Sequence, residues 1–275
     1  MPSAKEVQRF RRRVRALYNS SGRHALPWRR ARSPYRILVS EIMLQQTQVA
    51  RVIPKYRAFL REFPTVHSLA CAPLARVLTL WSGLGYNRRA KFLHDAAKAI
   101  VEKHGGKVPR SYRELIALPG VGEYTAKAVR IFAWNEPEVL VETNIRTAFL
   151  HHFYQGRSLV KDGDILAVAA DAAMEQSPRE WHWALMDYGA YLKASGVRLN
   201  ARSAHYTKQS KFEGSLRQIR GAILRALHGG GARETHIYVL IRANKHIDRI
   251  KCRQALAGLE RDELLRRRGR AWNVA

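Results

Sequence analysis

The sequence is short of cysteine, of acidic residues and of long apolar runs, and each shortage excludes something. Its 275 residues include 2 cysteines, Cys71 and Cys252, neither of them in a Cys-x-x-Cys pair. That argues against a disulfide framework and against a cysteine-ligated zinc or iron–sulfur site. Each cysteine reads as a small buried apolar side chain. The 11 histidines are scattered, with no His-Glu-x-x-His and no other metal-like spacing, so no metal site is expected. No run of about 18 apolar residues occurs, so no transmembrane helix is expected. The N-terminus carries Lys5, Arg9, Arg11, Arg12 and Arg13 with no apolar segment behind them, which does not read as a secretory signal. A cytoplasmic protein, nucleoid-associated if bacterial, is the expectation. Acidic residues number 22 against 49 Lys and Arg, for a formal net charge of +27. A field of that sign attracts polyanions, and nucleic acid is the commonest one in a cell. The 46% hydrophobic content is enough for one or two buried cores.

Strand-like alternation is scarce before residue 230, whereas helical spacing recurs throughout. Val7–Leu17 reads as a basic amphipathic helix and Ala25–Arg29 as an extended segment. Ser33-Pro34 reads as an N-cap with proline at the first helical position, starting a helix that runs through Glu41 to about Val49. Pro54 marks a break. Further helices are expected at 66–72, 74–80, 88–104, 112–117, 124–134, 144–153, 163–174 and 180–192, with short connections. Residues 193–211 are polar and read as a linker. Beyond it, 216–227 and 247–259 read as helices, Ile237–Ile241 is a short apolar run, and 264–274 reads as two strands around a turn at Gly269. The fold class is therefore all-α: a helical core over 1–192, plus a small winged-helix-like module over 212–275.

The sharpest segment is Leu118-Pro119-Gly120-Val121-Gly122-Glu123-Tyr124-Thr125-Ala126. A helix ends, a glycine-containing hairpin turns the chain, and a second helix begins. Glycines let the backbone turn and approach a ligand closely. Amides at a helix start, with the positive end of the dipole behind them, hold a phosphate without reading sequence. Gly-x-Gly alone would mark an ordinary αα-corner; the whole string in so basic a chain points to DNA, through Leu118, Gly120, Gly122 and Lys127.

That string resembles the helix-hairpin-helix motif of the endonuclease III and MutY type DNA glycosylases. Ser40-Glu41-Ile42-Met43-Leu44-Gln45-Gln46-Thr47-Gln48 resembles the SEVMLQQTQ block of MutY-type adenine DNA glycosylases, and Trp81-Ser82-Gly83-Leu84-Gly85-Tyr86 resembles their WTGLGY block. The matched order covers about residues 25–190. The resemblance implies a glycosylase core of two helical lobes, the first over about 25–135 and the second combining the N-terminal helix with 136–192, that flips a base out of duplex DNA and hydrolyses its bond to the sugar.

Glu41 has Ile37 at i−4 and Leu44 at i+3, a largely apolar helix face on which desolvation should raise a carboxyl pKa. Such a group can serve as a general acid, and protonating adenine makes it a better leaving group. Glu142, in Val141-Glu142-Thr143-Asn144, lies just outside a helix start that Thr143 or Asn144 would cap. The dipole there should lower its pKa, and an anion could stabilise the oxocarbenium character that develops on the sugar. The resembled family has an aspartate at this place, and Asn144 matches its asparagine, which helps place the water. Tyr124 stands where lyase-type relatives carry a nucleophilic lysine; a tyrosine cannot form the Schiff base that strand cleavage needs. Gln45, Gln46 and Tyr86 match positions that the family inserts into the DNA stack. Trp28 matches a tryptophan near the base pocket.

Two departures bear on the reading. The resembled pattern continues after its Met-Asp-x-Gly stretch into four cluster-holding cysteines, whereas Met186-Asp187-Tyr188-Gly189 is followed by none until Cys252. No iron–sulfur cluster and no other cofactor is expected. Trp183 occupies the place of a glutamine that contacts adenine, and joins Trp28 as a base-pocket residue. The expected function is a monofunctional glycosylase of base-excision repair acting on a mispaired or damaged base, with adenine opposite 8-oxoguanine or guanine as the first candidate. A glycosylase for mismatched thymine or uracil, one for hypoxanthine, and a non-catalytic binder of damaged or branched DNA remain as alternatives. The partner is double-stranded DNA bearing a mispair or lesion, and a monomer is expected. The tail adds Arg217 and Arg220 on one helix face and Arg266-Arg267-Arg268 at the hairpin tip, a basic module placed to hold DNA in place of the cluster loop.

Overall fold

The computed structural model describes residues 2–204, 211–242 and 247–275. Residues 205–210 of the expected linker and Lys245 of the basic tail lie outside the described residues. The chain divides into two compact units, one of residues 1–37 and 122–208, the other of 38–121 and 209–275.

The first unit contains α1 (Ala4–Ser21), α2 (Pro27–Arg30), α9 (Glu123–Trp134), α10 (Thr143–Phe153), α11 (Asp162–Ala173), α12 (Pro178–Ala194) and a 3₁₀ turn at Asn200–Arg202. A capping box starts α1: the Ser3 side chain accepts from the Glu6 amide, and the Glu6 carboxylate accepts from the Ser3 amide at 2.7 Å. Its apolar stripe, Val7, Phe10 and Val14, is buried, and Phe10 lies 5.1 Å from the Phe149 ring of α10. The segment expected to be extended at 25–29 instead forms α2, because Pro27 presets the first helical φ. The expected linker begins inside α12, and its next part is held down by a parallel bridge between Val160 and Ser203.

The second unit contains α4 (Val49–Glu62), α5 (Val66–Ala70), α6 (Leu74–Trp81), α7 (Arg88–His104), α8 (Tyr112–Ile116), α13 (Leu216–Ala226), α14 (Glu234–Ile241) and α15 (Arg249–Arg261). Its strands are β1 (Ala232–Arg233), β2 (Leu265–Arg268) and β3 (Ala271–Val274). The chain passes from the first unit to this one along α3 (Pro34–Leu44) and returns through the 117–122 hairpin. Two sequence expectations fail here. α3 ends at Leu44, five residues early, and Pro54 lies inside α4. The proline costs one internal hydrogen bond, which the buried Val52, Tyr56 and Phe59 of that helix outweigh.

The C-terminal module runs helix, strand, two helices, then two strands, the order of a winged helix. Its antiparallel sheet has strand order β1-β3-β2. Ile219, Ile223, Ile237, Leu256, Leu259 and Leu265 are buried. The apolar run 237–241 is helical, and β1 adds a third strand to the expected hairpin. Arg266, Arg267 and Arg268 lie along β2 rather than at the tip, which is Gly269-Arg270. Among the described residues no helix is long and apolar enough to cross a membrane.

Candidate functional site

In the first unit the chemistry gathers at the start of α10. Glu142 is itself the N-cap, in place of Thr143 or Asn144: its Oε1 accepts the Asn144 amide at 2.7 Å and the Ile145 amide at 2.8 Å. Its Oε2 accepts from Asn144 Nδ2 at 3.2 Å, and Lys193 Nζ of α12 donates to Asn144 Oδ1 at 2.8 Å. Burial pushes the Glu142 carboxyl above the usual range, against the two amides, Lys193 and Arg146, which pull it down. The expected lowering at the helix end is therefore reversed, because desolvation outweighs the dipole.

Trp28 and Trp183 are both buried. Trp183 stacks on Phe132 at 5.7 Å, and the Arg29 guanidinium sits 5.5 Å from the Trp183 ring. Arg29 is in turn held by Asp187, at 2.6 and 2.8 Å, and Asp187 also accepts the Arg23 amide at 2.8 Å. These donors hold the Asp187 carboxyl below its ordinary value despite burial. The aspartate of the Met-Asp-x-Gly string thus ties the 23–29 segment to α12.

The hairpin has the expected turn. Leu118 is buried, and its carbonyl accepts the Val121 amide at 3.1 Å. Gly120 has φ +73°, and a methyl there would lie 2.5 Å from Cβ of Phe92, so both conformation and space demand glycine. Gly122 differs: its φ is ordinary, a methyl would meet nothing within 4 Å, and it starts α9 without a side-chain cap. Tyr124 and Lys127 follow on α9, both half-buried.

In the second unit Glu41 is 6% exposed, among Ile37, Leu38, Ile42 and Met43 of its own helix. After α3 ends, Gln45 is half-buried and Gln46 is exposed with φ +52°. Tyr86 also has a left-handed backbone, φ +49°. Such conformations in non-glycine residues persist only where surroundings impose them. Beside both of them lies a residue that the sequence does not mark. Arg89, 9% exposed, donates from Nη1 to the carbonyls of Ile42 at 2.8 Å, Met43 at 3.1 Å and Gln45. From Nη2 it donates to Thr47 Oγ1 at 3.0 Å, Gly85 O at 3.1 Å and Leu84 O at 3.3 Å. One guanidinium thus caps the end of α3 and fastens both loops; nothing in the string Asn87-Arg88-Arg89 marks which arginine turns inward.

Gln45, Gln46, Tyr86, Arg88, Arg89 and Phe92 line one side of a cavity of about 490 Å³, and Leu216, Arg217, Arg220 and Asp262 of the C-terminal module line the other. Arg217 donates to the Tyr86 hydroxyl and lies over its ring at 5.3 Å, while Arg220 pairs with Asp262. Both arginines therefore contact protein groups, and Arg217 places the module directly on a residue expected to insert into DNA. Arg267 is exposed, with its guanidinium 5.2 Å from the Trp272 ring. The residues do not fit an iron–sulfur cluster: Cys71 is exposed after α5, Cys252 is buried in α15, and the chain has no other thiol. Among the described residues no group of three potential metal-ligating side chains gathers.

Comparison with known proteins agrees with this geometry. The family model described as HhH-GPD superfamily base excision DNA repair protein matches residues 39–186. The chain is 38% identical over 224 residues to an adenine DNA glycosylase of Mycolicibacterium smegmatis, covering 74% of this chain and 76% of that one. It is 43% identical over 136 residues to an adenine DNA glycosylase of Buchnera aphidicola, and there spans 39% of the relative's length. In fold it is similar to a thermostable thymine-DNA glycosylase, with TM-score 0.62, 24% identity and coverage of 74% of this chain and 97% of that one. A trapped endonuclease III–DNA covalent intermediate aligns with TM-score 0.56 and 22% identity, over 70% of this chain and 88% of that one.

Proposed function

The chain belongs to the HhH-GPD superfamily of base excision DNA repair proteins, and from that premise we propose that it is a DNA glycosylase that removes adenine from a mispair in duplex DNA. The observation that carries this reading is the buried Glu41 at the end of an apolar helix face, directly before the Gln45–Gln46 turn. Adenine leaves poorly as an anion; a proton delivered to the base by a buried carboxylic acid makes it a neutral leaving group. Glu142 is the electrostatic partner. As positive charge develops on the sugar, a carboxylate already out of water interacts with it more strongly than a solvated one would. Its amide and side-chain donors are in place before the reaction and need no reorganisation. Asn144 orients the attacking water. Tyr124 supplies no amine, so the product is an abasic site in an intact strand.

The two glutamines and Tyr86 enter the stack vacated by the flipped base, and the hairpin around Gly120 and Gly122 holds a backbone phosphate. Trp28 and Trp183 border the base. The net charge of +27 supplies the sequence-independent part of DNA affinity. The enzyme works without an iron–sulfur cluster, and the winged-helix module provides basic contacts of its own. The test is a panel of duplexes carrying A opposite 8-oxoguanine, A opposite G, T or U opposite G, and hypoxanthine, scored for abasic product. Excision of adenine from its mispairs, with the others intact, is the expected result; product from a T, U or hypoxanthine duplex alone would overturn the assignment of adenine. Binding to all duplexes without product would make the chain a non-catalytic binder.

A further inference from the structure

The cluster at the start of α10 contains a cation that the motifs do not announce. Gly189 and Lys193 stand four residues apart on α12 and so share a face. A methyl on Gly189 would lie 1.9 Å from the backbone oxygen of Asn144. Only glycine lets α12 cross so close to the first turn of α10. One turn further on, that crossing delivers Lys193 to the Asn144 side chain at 2.8 Å, while the same amide reaches Glu142 at 3.2 Å. An ammonium can only donate and a carboxylate only accept. The Asn144 amide therefore has one workable orientation, oxygen toward Lys193 and nitrogen toward Glu142; the reverse would set donor against donor and acceptor against acceptor.

We propose that Lys193 is a positioning residue for base excision, fixing the Asn144 amide and, through it and its own charge, holding Glu142 in place as the carboxylate that faces the cationic sugar. The inference rests on the reading of Glu142 as the electrostatic partner. Burial presses both groups toward neutrality, Lys193 downward and Glu142 upward, and each opposes that pressure on the other. The other charges around the pair are accounted for. Arg146, on α10 itself, is engaged by Asp162 of α11 through bonds of 2.8 and 2.7 Å. Arg198, beyond the end of α12, donates to the Lys193 carbonyl and adds a like charge that disfavours the ammonium. From the 3₁₀ turn, Asn200 meets Thr147 and brings no charge. Lys193 is the cation that the Asn144 amide links directly to Glu142.

The test is the single-turnover excision rate against pH for wild type, Lys193→Met, Lys193→Gln, Lys193→Arg and Glu142→Gln on one mispaired duplex. Without the ammonium Glu142 protonates more readily, so the acid limb of the profile moves to higher pH by about one unit. Lys193→Arg keeps the charge and recovers most of the limb position. Lys193→Gln, which can still donate to Asn144 without charge, shows the shifted limb and stands in if the methionine variant does not fold. A limb that stays at the wild-type pH in the uncharged variants overturns the inference, whatever happens to the overall rate. Glu142→Gln separates the two layers. Wild-type excision in that variant removes the reading of Glu142 itself; loss of excision there, with an unmoved limb in Lys193→Met, removes only the role of Lys193.

Discussion

Replacing Arg89 by methionine should loosen both loops that carry the residues expected to enter DNA. The size of the effect follows from the guanidinium's surroundings. Burial pushes its pKa down to about 10 from 12.5, and at about 1.4 kcal/mol per pH unit that desolvation costs about 3 kcal/mol. Against it stand four bonds at 2.8 to 3.1 Å, to Ile42 O, Met43 O, Thr47 Oγ1 and Gly85 O. Hydrogen bonds from a charged donor contribute about 1.5–3 kcal/mol each, so the set contributes at least about 6 kcal/mol. Methionine keeps much of the volume and removes both terms, for a net loss of about 3 kcal/mol, more where the abandoned carbonyls cannot reach water. For a protein of this size that corresponds to a fall in Tm of about 6–12 °C. Thermal unfolding followed by circular dichroism measures it, and single-turnover excision on a mispaired duplex should fall with it. Lysine at 89 keeps the charge but, as a point donor, cannot span both loops, and should recover only part of the loss. A methionine variant that melts within about 2 °C of wild type and excises normally would refute the reasoning.

Asp187→Asn leaves Arg29 buried without its anion and should cost about 3–5 kcal/mol at neutral pH; because the native carboxyl titrates below its ordinary value, its stabilisation is present above pH 3.8 and lost as pH falls further. Urea denaturation at stepped pH should show the wild-type advantage shrinking below that point, and a constant difference would contradict the ion pair's role. With Tyr124 in the hairpin, borohydride added during turnover should trap no enzyme on DNA, and abasic strands should break only after alkali; efficient covalent trapping would show an amine nucleophile at work. Changing the exposed Arg266, Arg267 and Arg268 to glutamine should flatten the dependence of log affinity on log salt by about 0.9 for each phosphate contact removed. An unchanged slope would leave β2 without a place on DNA.

Much of what a local rule controls was legible in the sequence. The 3.6-residue spacing of Val7, Phe10 and Val14 and the Gly120 turn were legible, as were the helices read at 216–227 and 247–259 and the terminal hairpin of the tail; β1 and the helical state of 237–241 were not. Several of the misses share a cause, which is that they depend on groups far apart in the chain; α2, which Pro27 starts locally, is an exception. The early end of α3 at Leu44 follows from Arg89, which accepts the role of C-cap from 45 residues downstream of its last residue. The pKa of Glu142 was read from its helix end alone, whereas its burial decides the direction. Lys193 carries no motif; its meaning comes from Gly189, which brings two helices within backbone contact. Arg217 and Arg220 do share one helix face as read, but that face meets Tyr86 and Asp262 of the protein.

Glu41 carries the central claim, and Glu41→Gln tests it most directly. The amide keeps the size and the buried position of the side chain but has no proton to deliver to the base. On a duplex with adenine in a mispair, single-turnover excision should fall by about 10²–10⁴-fold, while affinity for the same duplex stays near wild type. An excision rate equal to wild type in a folded, DNA-binding variant would contradict the account, leaving Glu41 a structural residue and the proton source elsewhere.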